Sequence, residues 1–158
     1  LALLEGYNYR EASDPIWIQS FDAEVLKTMR QKHKTRLKLL QLIGENRWRL
    51  SATDFDYLKT EVGLNEVAGY ADGIGPWMNH VVTGKNISGD LKLTGIVTMA
   101  HHLNLKVHLY TLRADRLPDY AETFEDLLHI FFNLVQVDGI FTDFPDRAVK
   151  YLEKTSLH

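Results

Sequence analysis

Val137-Asp138-Gly139-Ile140-Phe141-Thr142-Asp143-Phe144-Pro145-Asp146-Arg147-Ala148-Val149-Lys150-Tyr151-Leu152 runs from a short apolar strand through an acidic turn into a helix opened by proline. Proline suits that first turn because its missing N–H would have no intrahelical partner and its φ is already helical. The run predicts a buried strand over 139–141 and a helix from 146 to about 153. A strand that ends in polar residues just before a helix is how α/β enzymes present side chains to a ligand.

Working outward, the same alternation recurs four more times. Apolar, β-branched or aromatic runs predict strands at 16–20, 37–43, 71–75 and 106–111. Helical spacing predicts helices at 22 to about 33, 57 to about 68, 92–103 and 121 to about 134, plus a helix tail over 1–5 closed by Gly6 as a C-terminal glycine. Two connections are longer than the usual two to six residues: the polar segment 45–56 with Trp48, and 76–90 with Trp77 and Met78. Strands alternating with helices imply parallel pairing and right-handed crossovers. No linker-like composition divides the chain, so 1–158 is expected to be one domain. Five such strands close either as an open doubly wound sheet or as five-eighths of a barrel.

Composition narrows the function classes. The 158 residues are few for a closed eight-stranded barrel of about 250. A net charge of −3 and no stripe of Lys/Arg with interleaved aromatics argue against nucleic acid. The chain has no cysteine, which removes disulfides, thiolate catalysis and Cys-type zinc sites. No apolar run reaches the length of a transmembrane helix, and no signal peptide opens the chain. It starts at Leu1, inside a helical pattern, which suggests a truncated or processed product.

Several segments carry a resemblance: Ile18-Gln19-Ser20-Phe21-Asp22, Leu40-Gln41-Leu42-Ile43, Tyr70-Ala71-Asp72-Gly73-Ile74-Gly75-Pro76, Val107-His108-Leu109-Tyr110-Thr111-Leu112-Arg113 and the closing run from Gly139 to Tyr151. Each falls at the carboxyl end of a predicted strand. Together they resemble strands four to eight of the glycerophosphodiester phosphodiesterases of the bacterial periplasmic type. The resemblance implies an α/β fold of the (β/α)8 TIM-barrel type, of which this chain holds about strands four to eight with their helices. It implies hydrolysis of glycerophosphodiesters to glycerol 3-phosphate and an alcohol, with a divalent metal, calcium or magnesium, and two histidines as acid and base. It also suggests a periplasmic location.

The family's motifs for that chemistry are His-Arg-Gly, Glu-x-Asp, His-Asp and Glu-x-Lys, and this sequence contains none of them. Phosphodiester hydrolysis needs neutralised phosphoryl oxygens and a protonated leaving alkoxide. The expectation is therefore split: the parent protein is a phosphodiesterase, while this chain supplies no catalytic residue and no metal ligand and is inactive alone. Its partner would be the missing N-terminal barrel half, or a second copy covering the open edges.

The resemblance places substrate-binding residues at Phe21 and Tyr110, as an apolar wall against glycerol; core packing is the other use of such rings. By strand alternation Gln19 points with Phe21, and His108 with Tyr110. Gln19 and Gln41 would donate to a hydroxyl or phosphate oxygen, or else lie buried and hydrogen-bonded. Asp143 is expected to bond backbone amides at the start of the last helix rather than act on substrate. Arg113 could meet a phosphate or be an exposed loop residue. Histidines stand at 33, 80, 101, 102, 108, 129 and 158 without metal spacing; Asp54 and Asp56 do not fit an EF-hand, and Gly73 with Gly75 makes only a lone GxG. From other classes come a non-catalytic α/β binding module for a polyol or phosphate ligand, and a structural interaction domain.

Overall fold

The computed structural model describes residues 1–155. The chain divides into two compact units, Leu1–Gly75 with Thr98–Lys106, and Pro76–Val97 with the chain from Val107 onward. His158 lies outside the described residues.

The first unit opens with α1 (Ala2–Gly6), then β1 (Trp17–Ser20), α2 (Ala23–Gln31), β2 (Lys38–Ile43), α3 (Phe55–Leu58) and α4 (Glu61–Ala68). β3 (Gly73–Pro76) belongs to it except for Pro76, and the end of α5 (Ile96–His102) returns to it. The strand order is β1-β2-β3. β1 and β2 run parallel, pairing Trp17 with Lys38 and Ser20 with Gln41. All of β2 but its first residue is buried, as a parallel strand covered on both faces requires. The core gathers Leu26, Leu39, Leu40, Ile43, Phe55, Leu64 and Ile74.

Gly6 is helical and does not end α1; the left-handed residue is Asn8, at φ 65°. Residues 55–68 form two short helices because Asp54 caps α3 and Thr60, through Gly63 N, caps α4.

An Asp-Gly pair opens β3. Asp72 donates its amide to Leu39 O at 2.9 Å, and its carboxylate accepts Leu39 N at 2.8 Å. Its carbonyl accepts Lys106 N at 3.0 Å. A Cβ on Gly73 would lie 2.6 Å from Lys106 O, so the next backbone approaches only because glycine stands there. Arg30 of α2 completes the joint, bonding the carbonyls of Tyr70, Thr35 and Leu37 and the Asp72 carboxylate.

In the second unit, the antiparallel hairpin of β4 (Val82–Lys85) and β5 (Leu91–Leu93) precedes α5. The helix expected over 92–103 therefore begins only at Ile96. Gly89, at φ 90°, shapes the hairpin turn, and Gly95, at φ 81°, separates strand from helix. β6 (Lys106–Leu112) pairs in parallel with β7 (Gly139–Thr142), His108 opposite Gly139. β7 is half-buried along its length, not buried as expected.

α6 (Phe124–His129) starts at a reciprocal Thr123–Asp126 capping box and passes into a π-helical turn over Ile130–Leu134. α7 (Pro145–Thr155) closes the described chain. The Asp-Gly device recurs at β7. Asp138 exchanges two 2.9 Å bonds with Val107, amide to carbonyl and amide to carboxylate, and a Cβ on Gly139 would strike the His108 ring at 2.8 Å.

Candidate functional site

In parallel α/β units the strand carboxyl ends carry chemistry and the amino ends carry stability. The two Asp-Gly joints sit at amino ends; the expected ligand residues sit at carboxyl ends.

In the first unit Phe21 follows the last residue of β1. Ser20 Oγ accepts Asp22 N at 3.0 Å, and Asp22 caps α2 through Glu24 N at 2.9 Å. Phe21 is thus clamped between a strand end and a helix cap. Its carbonyl accepts from Gln41 Nε2 and Ser51 Oγ, each at 3.2 Å. The half-buried ring stands edge-on to buried Phe55, centroids 6.0 Å apart. A Cβ on Gly44 would lie 2.8 Å from the Trp48 ring and 3.4 Å from Phe21. Glycine there lets Trp48 fold over the strand end beside Phe21, a role the bare loop sequence did not reveal.

Gln19, opposite Leu40, is exposed and its amide has no hydrogen bond among the described residues. Gln41 is fully buried. Its Nε2 reaches the carbonyls of Ser20, Phe21 and Leu42 at 3.3, 3.2 and 2.9 Å, and its Oε1 accepts the Tyr70 hydroxyl at 2.9 Å. Burial pushes the Tyr70 phenol above its ordinary range, so it remains a neutral donor. Gln41 holds the backbone that presents Phe21.

The loop above them is tied inward. Asn46 Nδ2 donates to Asp54 at 2.9 Å and Asp56 at 3.1 Å, and its Oδ1 accepts Phe55 N at 2.7 Å. The Asn46 bond, then the amides of Tyr57 and Asp56, hold the Asp54 carboxyl below its usual value.

In the second unit Tyr110 is half-buried in β6, its backbone bridged to Trp77. Arg113 follows that strand. It bonds Asp115 through two nitrogens at 2.9 and 2.7 Å, and Asp143 at 2.5 Å. The Asp115 hydrogen bond raises the guanidinium pKa and the Arg113 hydrogen bond lowers that of Asp115. Asp143 therefore meets Arg113 instead of backbone amides. Thr142 makes the turn, donating to Leu112 O at 2.7 Å and accepting Phe144 N at 3.0 Å.

Among the described residues no three His, Cys, Asp or Glu side chains come together to hold a metal. Asp54 and Asp56 converge on the Asn46 amide, and Asp56 also pairs with Lys59 at 2.8 Å, so the two carboxylates belong to a hydrogen-bond and ion-pair network and not to a cation site. The described residues do not fit the divalent metal implied by resemblance.

Parallel strands followed by helices, with polar and aromatic residues at the strand carboxyl ends, define an α/β protein of the (β/α)8 TIM-barrel type. A protein of Silicibacter pomeroyi DSS-3 of known crystal structure shares that fold, with a TM-score of 0.61 at 21% identity over 98% of this chain and 42% of its own. The glycerophosphoryl diester phosphodiesterase family matches residues 2–147, and the chain belongs to that family. It is 29% identical to a glycerophosphodiester phosphodiesterase of Treponema pallidum (strain Nichols), covering 98% of this chain and 48% of that protein. It is 32% identical to one of Arabidopsis thaliana, covering 97% and 44%. The chain spans about half the length of the curated relatives it matches.

Proposed function

We propose that this chain serves metal-dependent hydrolysis of glycerophosphodiesters to glycerol 3-phosphate and an alcohol, as part of the substrate-binding surface rather than as its source of acid, base or metal ligands. The observation that carries this is Phe21: a half-buried ring at a strand carboxyl end, backbone fixed by Gln41 and Ser51, two residues from an exposed Gln19 whose amide has no hydrogen bond among the described residues. A ring held that way offers an apolar face to a glycerol carbon chain, and the amide offers donors to its hydroxyls. Tyr110 is assigned the same kind of contact in the second unit, tested by its own variant. The metal, calcium or magnesium, and the residues that hold it come from outside these 158 residues, from a complementing barrel half.

Titration of the chain with glycerophosphocholine, followed by amide chemical shifts, tests the reading. Shifts are expected at Gln19 and Phe21. Phe21→Ala should weaken binding by about five- to thirty-fold, the loss of roughly 1–2 kcal/mol of apolar contact. Phe21→Leu, which keeps an apolar side chain, should weaken it less. Equal affinity of wild type and both variants would overturn the assignment.

A further inference from the structure

On its outer helical layer the second unit carries a cleft unrelated to the strand ends. It has a volume of about 300 Å³ and is lined by Glu125, Arg147, Lys150, Tyr151 and Lys154. Positions 147, 150 and 154 follow the i, i+3, i+7 spacing that stacks side chains on one helix face. α7 runs back from the carboxyl end of β7, so Lys150 and Lys154 lie progressively farther from the end that presents substrate residues.

Two fixed groups form the floor. Arg147 is pinned by a two-point contact with Glu125, at 3.2 and 2.6 Å, and stacks 5.1 Å from the Phe124 ring centre. The Tyr151 hydroxyl donates to Asn133 Oδ1 at 2.5 Å and lies 3.3 Å from His129 Nδ1. Among the described residues Glu125 is the only acidic one lining the cleft, and Arg147 already neutralises it, which lowers its carboxyl pKa. Lys150 and Lys154 have no ion pair among the described residues. A concave site with two uncommitted ammonium groups, beside a rigid arginine and a phenol, has the charge and size for a small dianion. A flat membrane or protein surface would not use the concavity.

We infer that the cleft between α6 and α7 is a binding site for a phosphate dianion, free or carried on a small phosphomonoester, with Lys150 and Lys154 as the contacts that close on it. The shared chemistry of free phosphate and an anionic lipid headgroup is separated by the choice of probe.

The 158-residue chain is titrated with inorganic phosphate at low and at physiological salt, with amide shifts read along α7. Parallel flotation uses phosphatidylcholine vesicles containing phosphatidate. Saturable shifts confined to the cleft are expected, weakened about tenfold or more in Lys150→Glu/Lys154→Glu, with some affinity kept at physiological salt. Both substitutions are at exposed positions, and circular dichroism checks that the double variant stays folded. Lys150→Arg/Lys154→Arg should retain binding. Unchanged affinity in the Glu variant overturns the site. So does equal response to sulfate and phosphate that vanishes at physiological salt, the mark of an adventitious ion only. Vesicle binding without any response to soluble phosphate also overturns it, in favour of a lipid surface.

Discussion

Replacing Asp72 by alanine should be among the most damaging single changes at a partly exposed polar residue of the first unit. One carboxylate oxygen accepts both the Leu39 amide and an Arg30 nitrogen. Leu39 is fully buried, so its amide would have lost its partner with no water to replace it, a cost of about 1–3 kcal/mol. Arg30 keeps its bonds to three carbonyls, and the pair is 26% and 39% exposed, so the ionic part is screened to about 0.5–1 kcal/mol. The total is about 1.5–4 kcal/mol, or roughly 3–16 °C in Tm for a chain of this length. Asp72→Asn keeps an oxygen for Leu39 and loses only the charge, so it should cost about 1 kcal/mol. Thermal melts followed by tryptophan fluorescence report on this unit through Trp17 and Trp48. An Asp72→Ala variant within 0.5 kcal/mol of wild type would refute the bridging role. An asparagine variant as unstable as alanine would show that charge, not the amide acceptor, is what matters.

Other perturbations follow from the same geometry. Gln41→Leu removes the partner of the Tyr70 hydroxyl and of three carbonyls, and should cost about 2–4 kcal/mol by urea denaturation; a neutral result would mean the carbonyls find other donors. Gly44→Ala places a methyl against Trp48, so the indole must move: a shifted Trp48 emission and weaker glycerophosphodiester binding are expected, and an unchanged spectrum would count against the packing described. Acid should destabilise the chain. Glu66 is held below its ordinary 4.5 first by the Lys27 hydrogen bond, and Glu125 likewise by Arg147. A carboxyl depressed in the folded state adds stability fully present above its unfolded pKa and lost as pH falls through the folded one. Urea midpoints should be flat from pH 7 to about 5 and fall below about 4.5; a midpoint that rises on acidification would contradict the pairings.

The five parallel strands were legible because each is a short apolar run bounded by polar turns, and burial on both faces of β2 needs no long-range knowledge. The β4–β5 hairpin was not. Leu91-Lys92-Leu93 alternates like a strand but abuts a helical pattern, and only the backbone break at Gly95 shows that the two are separate. The two Asp-Gly pairs were equally hidden, since their meaning lies in amides 31 and 33 residues away. At the site, Phe21 was readable as a strand-end aromatic. Gln41 read only as a polar residue in an apolar run; its partners lie as far as 29 residues along the chain. Arg113 read as a phosphate ligand or an exposed loop arginine; Asp115, two residues on, and Asp143 hold it, and only the Asp143 pairing depends on strand register.

The proposed function requires that the chain recognise a glycerophosphodiester without cleaving it. Phosphorus-31 spectra of glycerophosphocholine incubated with the purified chain and calcium read both halves at once. The account predicts a broadened phosphodiester resonance and no phosphomonoester signal. A growing, chelator-sensitive phosphomonoester signal would place the catalytic machinery in this chain, and a sharp, unshifted phosphodiester line would deny it the substrate.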